Sequence, residues 1–81
     1  MPTVLRSGPY RFFFYSGDGN EPPHVHVERE SAQAKFWLDP VQLASSNGFS
    51  RKELRDIERV ILAHIDLLRG KWDEHCAGST H

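Results

Sequence analysis

The chain predicts an α+β domain: a three- to four-stranded antiparallel sheet, a short helix, and a long C-terminal helix packed on one sheet face. Three observations carry this. Segments with strict two-residue alternation fill the first half. An apolar stripe of helical period runs from Leu54 to Trp72. Hydrophobic content is 38%, with two tryptophans, two tyrosines and five phenylalanines, enough for one small core and contrary to disorder. Residues 1–75 are expected to form this single domain and 76–81 a disordered tail.

Taken in order, Thr3 to Arg6 reads as a short strand and Ser7-Gly8-Pro9 as a turn. Tyr10-Arg11-Phe12-Phe13-Phe14-Tyr15 then reads as a strand with aromatic residues on both faces, which places it centrally. Ser16 to Pro23 is a long loop rich in glycine and proline. It delivers the chain to His24-Val25-His26-Val27-Glu28-Arg29, where the two histidines share one face and the valines the other. After the turn Glu30-Ser31-Ala32, the segment Gln33 to Leu38 sets Ala34, Phe36 and Leu38 against Lys35 and Trp37. The simplest pairing is a second hairpin.

Asp39-Pro40 has the form of a helix start, with Asp as cap and Pro in the first turn. A short helix is expected there, with Val41, Leu43 and Ala44 as its apolar side and Gly48 beyond its end. Phe49-Ser50-Arg51-Lys52-Glu53-Leu54 carries a capping box, Ser50 with Glu53, and a hydrophobic staple, Phe49 with Leu54. Leu54, Ile57, Ile61, Ile65, Leu68 and Trp72 then line one side of the long helix. Gly70 weakens its last turns.

Charge and cysteine content narrow the function classes. Ten basic and eleven acidic side chains leave a net charge of -1, so any nucleic-acid surface is a local feature. The single cysteine, Cys76, excludes an intramolecular disulfide and fits a reducing compartment. No apolar run reaches membrane-spanning length, and the start lacks the layout of a signal peptide. The expectation is a cytoplasmic protein without membrane contact.

The candidate site is the His24/His26 pair. Two imidazoles are an incomplete metal set; zinc asks for four ligands, and Glu28 and Glu21 are the nearest further donors. No metal or other cofactor is assigned. As acid and base beside a cation, the pair would suit RNA cleavage, one imidazole taking the 2′-hydroxyl proton and the other protonating the leaving oxygen. Arg11 and Lys35 are the cations assigned to that role, with Arg51 and Lys52 also available. The plain alternative is two partly exposed histidines satisfied by backbone or carboxylate contacts. The aromatic run around Tyr15 could stack bases, although core packing explains most of it. His64 reads as a packed boundary residue, and His75 carries no signal.

These segments together resemble a known family. Met1 to Leu5, Tyr10 to Ser16, Glu21-Pro22-Pro23-His24-Val25-His26-Val27, Ala34 to Leu38 and the Phe49-to-Leu54 helix start are similar to the small bacterial domain of unknown function four-one-six-zero. Members of that family are typically encoded beside another small domain of unknown function, two-four-four-two, in an arrangement similar to toxin–antitoxin pairs. The resemblance implies a small adjacent-gene partner protein and no settled mechanism. The polar positions it picks out are Arg11, Ser16, Glu21, His24, His26 and Lys35.

The leading expectation is therefore the toxin component of a type II module acting on RNA. His24, His26, Arg11 and Lys35 would do the chemistry, and Glu21, Ser16 and Tyr15 would bind. The alternatives are a non-catalytic protein-binding module that uses a sheet edge, self-association included, and a small metal-binding domain.

Overall fold

The computed structural model describes residues 3–15 and 20–79. Five strands, β1 (Thr3–Ser7), β2 (Tyr10–Phe13), β3 (His24–Arg29), β4 (Ala32–Leu38) and β5 (Val41–Asn47), precede two helices, α1 (Arg51–Ala63) and α2 (Ile65–Ser79). The strands form one antiparallel meander in the order β1-β2-β3-β4-β5. The α+β class and both expected hairpins are present. The strand count is higher than three or four, because the short helix expected after Asp39-Pro40 is β5.

The reason lies in the ambiguity of Asp-Pro, which opens turns as readily as helices. Here Asp39-Pro40, joined by a cis peptide bond, is the two-residue turn between Leu38 and its cross-strand partner Val41. Ser45, Ser46 and Asn47 have little helical preference. The outer backbone groups of β4 also need hydrogen-bond partners, which β5 supplies. Its side chains pack little: only Val41 is partly buried, and the other six residues are exposed. Gly48 leaves the strand at φ 92°, a left-handed conformation suited to glycine, beside Ala32.

Both edge strands carry an irregularity. Val4 in β1 and Ala44 in β5 fall where the pairing register shifts, leaving an extra residue on the edge side. Such bulges twist an edge away from further strand pairing.

The core lies between one sheet face and the helices. Phe12, Phe14, Val25, Val27, Ala34, Phe36 and Leu38 meet Ile57, Ile61, Leu68 and Trp72, all buried. Ile57, Ile61, Leu68 and Trp72 belong to the expected stripe, and Leu54 and Ile65 pack against the same core half-buried. The capping box is formed: Ser50 Oγ accepts from the Glu53 backbone N–H at 3.1 Å.

The long helix is interrupted, however. At His64 (φ -120°, ψ 24°) the backbone N–H is shared between the carbonyls of Val60 and Ile61, each 3.1 Å away. Its imidazole Nδ1–H donates to Val60 O at 2.9 Å, competing for the same carbonyl. His64 is thus an exposed residue at the break between α1 and α2 rather than a packed one. The helical conformation continues to Ser79, past the boundary expected at residue 75, and Cys76 packs partly against the core four residues after Trp72. Among the described residues no helix is long and apolar enough to cross a membrane.

Candidate functional site on the open sheet face

The helices cover one face of the sheet, so the alternate residues of β2, β3 and β4 make up the other. Antiparallel register places Phe13 opposite His26, His26 opposite Lys35, His24 opposite Trp37, and Arg11 opposite Glu28. Lys35 therefore stands across the strand from His26, on the face that carries both histidines. Cross-strand neighbours in this geometry stand about 5 Å apart.

Aromatic rings pave the centre. His26 stacks on Phe13 at 5.7 Å between centroids and meets the edge of Tyr15 at 4.5 Å. The His24 and His26 rings are 5.1 Å apart and nearly perpendicular. Phe13, although outside the main core, is only 2% exposed.

The cations repeat one arrangement, each between a ring and a carboxylate. The Arg11 guanidinium lies 4.6 Å from the Phe13 centroid, pairs with Glu28 Oε1 at 2.6 Å and donates to Thr3 Oγ1 at 2.7 Å. Lys35 Nζ lies 4.5 Å from the Trp37 centroid and 2.6 Å from Glu21 Oε1. A cation over an aromatic face gains from the ring quadrupole. Each positive charge is thus matched by a neighbouring negative one.

His24 differs from the expectation of a partly exposed histidine. It is 0% exposed, enclosed by Trp37 at 5.7 Å and by Trp72 of α2 at 4.9 Å. Its Nδ1 is 2.9 Å from Pro22 O; a carbonyl only accepts, so Nδ1 carries the proton. Nε2 is left facing Glu21 Oε1 at 3.7 Å. The Nε2 atoms of both His24 and His26 lie beneath the surface. This burial suits positioning and short-range contact better than proton exchange with a large substrate.

The structure thus brings together Arg11, Tyr15, Glu21, His24, His26 and Lys35. Ser16 lies outside the described residues. Arg51 and Lys52, on the first turn of α1, are exposed and belong to the helix layer rather than to this face. Among the described residues no three His, Cys, Asp or Glu side chains converge in a way that could hold a metal.

Two clusters escaped the sequence reading. His75 Nε2–H donates to Tyr15 O at 3.0 Å and its ring packs on Phe14 and Trp72, fastening α2 to the end of β2. The other joins β3 to the start of α1. Arg29 places Nε and Nη2 each 2.8 Å from Glu53 Oε2, and Tyr10 OH donates to the same oxygen at 3.5 Å. The Arg29 hydrogen bond, foremost, holds the Glu53 carboxyl below the usual carboxylate range, with the Ser50 contacts adding to it. The same bond raises Arg29. Burial, and next the Glu53 charge, push the Tyr10 hydroxyl up. These perturbed groups link sheet to helix, remote from the histidines. The only sequence signal for them was the capping box, which marked Glu53.

A family model described as "Domain of unknown function (DUF4160)" matches residues 10–73. The matched stretch takes in β2 to β5, α1 and the first part of α2, and with them every residue of the open-face cluster except Thr3. No match is found among curated proteins or among solved structures. By sequence and by the extent of that match, the chain belongs to the DUF4160 family.

Proposed function

We propose that the protein is the toxin component of a two-gene module and that it engages RNA through the open sheet face. The supporting observation is the direct pairing of His26 with Lys35, with Arg11 and Tyr15 on the same side of the sheet. A face that combines aromatic rings with cations has the chemistry of a single-strand platform: rings accept bases, and cations accept phosphates. In this reading Lys35 and Arg11 contact phosphate, Tyr15 and Trp37 offer stacking surface, and His26 contributes a polar edge. The enclosed His24 holds the platform in shape. The two-gene arrangement comes from the family resemblance, and a small adjacent-gene protein is the proposed partner.

The test is growth arrest on induced expression, comparing the wild type with Lys35→Gln and His26→Ala at equal protein levels. Circular dichroism verifies that each variant is folded. The reading expects arrest by the wild type and its loss in both variants. Arrest that survives in folded variants would remove the open face from the mechanism.

One observation favours the second reading, a protein-binding module. β5 is an edge strand without a charged residue, and uncharged edges are the ones that accept another strand. Its bulge at Ala44 works in the opposite direction. Under this reading a proline at Ser46 would abolish complex formation while Lys35→Gln would not.

A further inference from the structure

Glu21 occupies an unusual place on the open face. Its Oε1 is 2.6 Å from Lys35 Nζ and 3.7 Å from Nε2 of the wholly buried His24. The Glu21 side chain itself is 48% exposed. That carboxylate, on a half-exposed side chain, sits between a lysine on one strand and the edge of a buried histidine on the next. Lys35 is fixed by the indole beneath it, and His24 by its Nδ1–H bond to Pro22 O, so neither side chain depends on Glu21 alone for its position. Glu21, by contrast, projects from the residues leading into Pro22-Pro23, not from a strand.

We propose that Lys35 and His24 form a phosphate subsite, that Glu21 is the resident anion filling it, and that an RNA phosphate binds by displacing the Glu21 carboxylate. This rests on the reading of the open face as an RNA surface and explains how a face with matched charges accepts a polyanion. The oxygen of a phosphodiester takes the position of Glu21 Oε1, accepting from Lys35 Nζ–H, with the buried His24 ring forming the inner wall of the subsite 3.7 Å away. Trp37 lies directly below Lys35 and provides an apolar ring next to the phosphate, which favours a nucleotide over a peptide carboxylate. Glu21 then acts as a gate on affinity: ligands must outcompete a built-in carboxylate, and weakly binding anions are refused.

The experiment is an NMR titration of the full chain with inorganic phosphate, then with acetate, then with a five-nucleotide single-stranded RNA. The proteins are the wild type, Glu21→Gln, and Glu21→Gln combined with Lys35→Gln. Glu21→Gln keeps the shape and removes the charge; Lys35→Gln keeps an aliphatic stem over Trp37. Glu21→Gln is expected to tighten phosphate binding about three- to fivefold, the scale of a partly exposed ion pair. The shifts should centre on His24, Lys35 and Trp37, and the double variant should lose the gain. Unchanged or weaker phosphate binding in folded Glu21→Gln would overturn the proposal, as would acetate gaining as much as phosphate. If phosphate behaves as expected and the RNA does not bind, the subsite stands and the RNA reading of the face falls.

Discussion

Trp72 is where the helix layer reaches the histidine strand, and replacing it tests that connection. The indole is 5% exposed, meets Phe14 edge-on at 5.3 Å and lies 4.9 Å from the His24 ring. A buried tryptophan removes about 200 Å² from water, which at about 25 cal/mol per Å² is roughly 5 kcal/mol. Truncations of buried aromatic residues to alanine cost about 3–5 kcal/mol, in agreement. A chain of this size has a total stability of about 4–12 kcal/mol. Trp72→Ala therefore removes between a quarter and all of it. With a urea slope of about 1 kcal/mol/M, the unfolding midpoint falls by about 3 M or more, or the variant does not fold. Trp72→Phe keeps a ring against Phe14 and should fall by about 1–2 M. The assay is urea unfolding followed by circular dichroism, with His24 imidazole resonances read in the folded Trp72→Phe protein. The His24 signals should move, because its neighbouring ring current has changed. A midpoint loss below about 1 M for Trp72→Ala, or unmoved His24 signals in Trp72→Phe, would refute the packing described for this end of the sheet.

Other predictions follow from the remaining contacts. Glu53 has a folded pKa below its unfolded one, so its contribution is complete above the ordinary carboxylate range and is lost as pH falls through the depressed value. Glu53→Gln should therefore be less stable than wild type at neutral pH, with the gap closing on acidification; unfolding midpoints between neutral pH and about pH 2 measure it. Gly48→Ala places a Cβ 3.1 Å from both Ala32 Cα and Cβ at a backbone φ of 92°, and should destabilise by more than about 1 kcal/mol in the same assay. Ser50→Ala removes the acceptor for the Glu53 backbone N–H and should cost about 0.5–2 kcal/mol.

Much of the architecture is legible in the residues, and the misses have physical causes. Alternation in Tyr10 to Tyr15, His24 to Arg29 and Gln33 to Leu38 assigns each side chain to a face; burial follows it through Gln33 to Leu38, whereas Phe13 and His24 are buried on the opposite face as well. The stripe from Leu54 to Trp72 faces the core as its spacing requires. Val41 to Asn47 misled because Asp39-Pro40 satisfies both a helix start and a turn, and local signals do not reveal that β4 needs an outer neighbour. The break at His64 depends on an imidazole taking a backbone carbonyl, a contact that periodicity does not encode. At the site, the shared face of His24 and His26 follows from a period of two, whereas the meeting of His26 with Lys35 depends on register. The enclosure of His24 depends on where α2 crosses the sheet, which places Trp72 forty-eight residues along the chain beside it. The Arg29–Glu53–Tyr10 cluster likewise joins residues far apart in sequence.

The most direct measurement is a map of amide and side-chain shifts on adding single-stranded RNA to the wild-type protein, repeated at two salt concentrations. Shifts are expected on Arg11, Tyr15, Glu21, His26, Lys35 and Trp37, weakening as salt rises because bound phosphates release counterions. Shifts confined to β5 or to the helices, or none at all, would contradict the RNA reading of the open face.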